Sequence, residues 1–106
     1  MGIRSGIEIV DNERKSRFET TVDGHTAELI YRRRGERLVL VHTGVPEELE
    51  GRGIGAALVT AALGDARARG LTVVVHCPFA RTWLRRHPDA ADGVDIDWRG
   101  ASDDDA

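Results

Sequence analysis

Three glycines at alternate positions, Gly51, Gly53 and Gly55, open a helical pattern shortly after an apolar strand, in the run Glu50-Gly-Arg-Gly-Ile-Gly-Ala-Ala57. Glycine adopts φ > 0 and lets backbone approach a ligand closely, so successive N–H groups can converge on an anion. The start of a helix carries unpaired N–H donors and partial positive charge, which favours phosphate. Arg52 adds a full charge inside the turn. Beyond it, Cys77 precedes Pro78 near the start of a second helix, a position at which helix dipoles favour the thiolate form of a cysteine. His42 ends an apolar strand, and histidine is the side chain best suited to moving protons near neutrality. Nucleophile, proton donor and simple packing all fit Cys77; general base and structural strand end both fit His42.

The glycine turn admits more than one phosphate chemistry. A Walker A loop needs Gly-Lys-Ser/Thr, whereas Gly55 is followed by Ala56-Ala57, which excludes it. A dinucleotide fingerprint is formally present as Gly51-x-Gly53-x-x-Ala56. Its strand does not lead into it directly, and no ribose-binding acid follows about twenty residues on. A tight turn with no ligand is the remaining alternative. His42, His76 and Cys77 fall at neighbouring strand ends but lack a fourth ligand at zinc-like spacing, so no metal is expected.

The elements that must hold these residues are legible in part. Ile7–Val10 reads as a short strand, Asn12–Arg14 as a turn, and Ser16–Val22 as an alternating strand. Asp23-Gly24 is a strong hairpin signal, after which His25–Arg33 resumes. Arg34–Glu36 turns the chain into Arg37–His42, whose unbroken run Leu38–Val41 predicts a strand covered on both faces. The period then changes: Ile54, Leu58, Ala61 or Ala62, and Ala66 predict a helix from about Gly53 to Arg69, capped by Gly70. Leu71–Val75 is a second buried strand, and Pro78 starts a helix to about His87. The expected fold is α/β: a mixed, mostly antiparallel sheet with a strand-helix-strand unit and a second helix near the C-terminus.

At 106 residues the chain suits one small domain, with residues 100–106, rich in aspartate, as a disordered tail. A net charge of −3 argues against nucleic acid or an anionic membrane as partner. No stretch is apolar enough to span a bilayer, and Met1–Ser5 has no signal-peptide core, so a cytoplasmic location is expected. One cysteine precludes an internal disulfide. Lys15 is the single lysine, which disfavours Schiff-base chemistry.

The segment from His42 to Val59, with Ala68–Leu71, Cys77–Phe79 and Arg86–Pro88, resembles the GCN5-related N-acetyltransferase superfamily, and within it the small, single-domain YidJ-like acetyltransferases of bacteria. The resemblance runs from about Ile7 to Asp92. It implies an enzyme, a monomer or weak dimer, that transfers an acetyl group from acetyl-CoA to an unidentified amine, small or peptidic. It places the coenzyme diphosphate on Gly51, Arg52, Gly53, Ile54, Gly55 and Ala56, and the pantetheine arm along Val41, Thr43 and Val45, where two strands splay. It puts Cys77 at the coenzyme sulfur and leaves Cys77 and His42 as catalytic candidates. The chain departs from the pattern at Glu50, where members often carry Gln or Arg, and at Gly44, where many carry Glu. Glu47 and Glu48 are nearby carboxylates, either bases or solvated loop charges. Trp83 and Leu84 pack on the sheet or rim the channel, and Arg85, Arg86 and His87 cap a helix or meet a 3′-phosphate. A second reading, a non-catalytic acyl-CoA-binding or sensing module, differs in one measurable respect, the absence of turnover. An alkylamine acceptor with a pKa of about 10.4 would need about 4.6 kcal/mol to become neutral at pH 7, an α-amine about 1.

Overall fold

The computed structural model describes residues 7–98. The strands are β1 (Val10–Asn12), β2 (Arg17–Val22), β3 (His25–Arg34), β4 (Arg37–Gly44), β5 (Thr72–Val75) and β6 (Ile96–Asp97), and the helices are α1 (Ile54–Arg69) and α2 (Pro78–Arg86). They form one sheet in sequence order. Hairpins make β1 to β4 antiparallel, whereas α1 and α2 return the chain so that β4, β5 and β6 run parallel. Asp23 and Gly24 both have positive φ, 53° and 80°, as the twist of a two-residue hairpin between β2 and β3 requires.

Alternation on β2 and β3 sends Phe18, Thr20, Ala27, Leu29 and Tyr31 inward. The helical period brings Ile54, Leu58, Ala62 and Ala66 down on them, with Val59 and Leu63 alongside. Ala80 and Leu84 of α2 join the same core cluster, so both helices cover one face. Leu58 has no exposed surface, and truncating such a side chain to alanine costs about 2–5 kcal/mol. The opposite face carries Arg17, Glu19, Thr26, Glu28, Arg32 and His42.

Several boundaries differ from expectation. Leu38 and Leu40 are buried while Val39 and Val41 are half-buried, so β4 is fully covered on its inner face alone; β5, with Val73, Val74 and Val75 all buried, is the covered strand. The first strand starts at Val10 and takes in Asn12, because polar bonds hold it: Asp11 accepts hydrogen bonds from the Tyr31 hydroxyl at 2.5 Å and from Arg33 at 2.8 Å. Arg33 also binds Asp65 of α1 at 2.9 Å, tying helix to sheet. Burial opposes the Arg33 charge, but the bonds to Asp11 and Asp65 outweigh it and raise its pKa. Burial first, then the bond to Asp11, push Tyr31 up to about 12. The two-residue β6 and the 3-10 turns at Glu47–Leu49 and Pro88–Ala91 are too short to show a period. The aspartate-rich tail lies outside the described residues. Among those described, no helix is long and apolar enough to cross a membrane.

Candidate functional site

The ladder between β4 and β5 ends at Leu40↔Val75, and the Leu40 carbonyl accepts from the backbone N–H groups of both His76 and Cys77 at 3.0 Å. β4 nevertheless runs on to Gly44, paired with β3. Tyr31 faces Leu40 and Ile30 faces His42, so Val41 is an extra residue, and this bulge bends the strand as it leaves β5. Parted strands leave a cavity of about 420 Å³ beside the end of β4.

Thr43 and Val45 form one wall of that cavity, Leu49 and Phe79 are apolar, and Glu50, Gly51, Gly53, Ile54, Gly55 and Ala56 complete it. Gly51 and Gly53 have φ of 83° and 77°, and a Cβ on either would meet nothing within 4 Å. It is the backbone angle, not lack of space, that demands glycine there. Gly55 serves a different purpose: its Cβ would stand 2.7 Å from Cζ of Phe79, whose ring lies against the helix start. Gly53 is the N-cap of α1, and its carbonyl accepts from Ala57 at 3.0 Å. The N–H groups of Ile54, Gly55 and Ala56 precede that first intrahelical bond, no side chain caps them, and all three residues border the cavity.

Seven of the nine coenzyme-side residues expected from sequence border this cavity: Thr43, Val45, Gly51, Gly53, Ile54, Gly55 and Ala56. Val41 is the bulge residue and Arg52 points to Asp23 at 3.3 Å; neither borders it. Leu49, Glu50 and Phe79 are additions. Leu49 sits in a segment with no period, and Phe79 is apolar yet 42% exposed, a signal that only the structure supplies.

Cys77 is buried at the N-cap of α2, and its Sγ lies 3.0 Å from Thr43 Oγ1. His42 precedes Thr43 and so points to the other face, where it is exposed. The two catalytic candidates are therefore separated by the sheet and cannot form a nucleophile–base pair. Glu47 and Glu48 are exposed, with Glu48 3.8 Å from His25. Trp83 stacks on His87 at 4.4 Å, and the His87 N–H closes the end of α2 on Trp83 and Leu84 carbonyls. Among the described residues no group of three or more His, Cys, Asp and Glu is placed to hold a metal.

A mixed sheet that parts beside β4, with a glycine turn and helix start facing the gap, is the fold of the GCN5-related acetyltransferase class. The family profile described as GCN5-related N-acetyl-transferase matches residues 17–93, and the chain belongs to that family. It is similar to a GCN5-like N-acetyltransferase candidate from Staphylococcus aureus solved by NMR, with 30% identity and a TM-score of 0.66, over 85% of this chain and 89% of that one.

Proposed function

We propose that the chain is an acetyl-CoA-dependent N-acetyltransferase, with the coenzyme in the cavity beside β4 and an amine as acceptor. One conjunction carries the reading: three uncapped N–H donors at the start of α1 and an open strand edge border the same cavity. The donors of Ile54, Gly55 and Ala56 suit a diphosphate. The edge at Thr43 and Val45 suits the amide groups of a pantetheine arm, bound as an added strand. Side-chain charge contributes little, since Arg52 is half exposed and engaged by Asp23 while Glu50 borders the cavity. Backbone is the anion receptor.

Bound acetyl-CoA supplies an activated thioester: a C–N bond forms, the C–S bond breaks, one proton leaves nitrogen and one joins sulfur. A backbone N–H at the end of β4 would polarise the thioester carbonyl; one such donor is worth about 2.7–4 kcal/mol. Thr43 borders the cavity and holds the Cys77 thiol, so the pair supplies the proton for the departing sulfur. Calorimetry with CoA, followed by thiol release from acetyl-CoA with a panel of amines, tests the reading. Binding with turnover is expected; a folded protein that binds no CoA at millimolar concentration would refute it. Cys77→Ser should slow transfer more than it weakens binding, and full activity would assign Cys77 to packing.

A further inference from the structure

Phe79 is 42% exposed, whereas Leu49 and Ile54, which border the same cavity, are buried. A large apolar ring left open beside a cavity is surface that a ligand can cover. Its seat is specific. A Cβ at Gly55 would stand 2.7 Å from Cζ and 3.0 Å from Cε2 of the ring, and Gly55, unlike Gly51 and Gly53, has no positive φ. The ring, not the backbone angle, is therefore what keeps a side chain out of position 55. Two residues before Phe79, Cys77 touches Thr43 at the end of β4. The ring thus lies in the interval between that strand end and the start of α1, the stretch that a pantetheine arm would cross between its sulfur and its diphosphate. Charge is scarce there: among the described residues that border the cavity, Glu50 alone is charged and Phe79 alone is aromatic. Arg52 turns to Asp23. Arg85, about 9 Å further along α2, lies over the Trp98 ring at 5.4 Å.

We propose that Phe79, seated on Gly55, selects the donor by packing on the pantetheine arm, so that the donor class is phosphorylated pantetheine thioesters and the nucleotide of CoA adds little affinity. The inference rests on the acetyltransferase reading and adds to it the part of the donor that is recognised. The arm carries geminal methyl groups that match the open face of the ring, and one phosphate suffices for the N–H groups of Ile54, Gly55 and Ala56. No cation borders the cavity among the described residues to hold a 3′-phosphate. Gly55 is a positioning residue in this arrangement, since it acts through the ring.

Calorimetry on the wild-type protein with two fragments of CoA tests the proposal. 4′-Phosphopantetheine, which keeps the arm and one phosphate, should bind within about tenfold of CoA, and adenosine 3′-phosphate 5′-diphosphate, which lacks the arm, at least about 30-fold more weakly. Phe79→Ala should weaken CoA and 4′-phosphopantetheine alike, by roughly 10- to 30-fold. Gly55→Ala should cost a similar factor by driving the ring off the helix start, and the double variant no more than Phe79→Ala alone. A nucleotide fragment that binds as tightly as CoA, unchanged CoA affinity in folded Phe79→Ala, or losses that add in the double variant would overturn the role of Phe79 and leave the acetyltransferase reading in place. The fragment comparison needs no variant, so it decides the matter even where a substitution prevents folding. Absence of CoA binding by the folded wild-type protein would instead remove the acetyltransferase reading.

Discussion

The two sides of the end of β4 are built from different materials. Inward, around Thr43, the cavity is bordered by backbone N–H groups, apolar side chains and a threonine hydroxyl paired with a buried thiol behind it; outward, around Gly44, lies a carboxylate held by an arginine. Alternation along one strand is enough to separate them. In the proposed reading an anionic carrier would be met by backbone dipoles on the inner side, away from the charged cluster on the outer side. A third region shows what makes the outer carboxylate available. Arg33 binds three carboxylates where Arg17 binds two, and its closest partners, Asp11 and Asp65, belong to a packed network that includes Tyr31 and links α1 to β1. Arg17 leaves one oxygen of Glu28 facing a groove.

The comparison breaks most easily on the inner side. Gly53→Val forces a branched residue into φ near 77° and displaces the N–H groups that follow. CoA affinity, by calorimetry, should fall roughly 10- to 100-fold, with the Arg17–Glu28 cluster on the outer side unperturbed. Unchanged affinity would mean that the backbone of the turn does not hold the coenzyme.

Next in size is the contrast between the arginines. Arg33→Met leaves Asp11 partly buried without its cation and Asp65 with Arg69 alone, and should destabilise by about 2 kcal/mol in urea unfolding. The Arg17 side chain is as part-exposed as that of Arg33, 25% against 23%, but it joins only β2 and β3, so Arg17→Met should cost about 1 kcal/mol or less. Similar losses would show that the two arginine clusters carry the same structural load.

The Arg33 network also has a pH signature. Tyr31 holds its proton more tightly folded, up to about 12, than unfolded, about 10. Its contribution is fully present below pH 10 and is lost as pH rises from 10 toward 12, a decline on the order of 2 kcal/mol. Denaturation at stepped alkaline pH should show that decline, and Tyr31→Phe should remove the part due to the phenol. The smallest effect belongs to Arg52, exposed and paired with Asp23. Arg52→Ala should weaken CoA binding by roughly threefold or less, since exposed pairs are worth 1 kcal/mol or below; a tenfold loss would show that charge, not backbone, holds the diphosphate.

How much of this was readable before the structure depends on the range of the cause. The Asp23-Gly24 hairpin, α1 with its Gly53 and Gly70 ends, and the glycine turn are local in origin, and their residues announce them. Leu38–Val41 was misleading because a continuous apolar run does not tell whether a second layer exists to cover Val39 and Val41. The bulge at Val41 comes from pairing with β3, and β6 is only two residues long, so neither has a period to detect. The separation of Cys77 from His42 follows from alternation once Thr43 is known to face inward. The position of Glu28 opposite Gly44 has no local mark either, being a matter of register between two strands.

The central claim is that bare backbone at residues 53 to 56, beside an open strand edge, binds the coenzyme. An NMR titration of the 15N-labelled protein with CoA tests it most directly. The account predicts saturable shifts concentrated at Thr43, Val45 and Gly51 to Ala56, with little change at Glu28. Saturation with shifts confined to other residues, or no shifts at millimolar CoA in the folded protein, would contradict it.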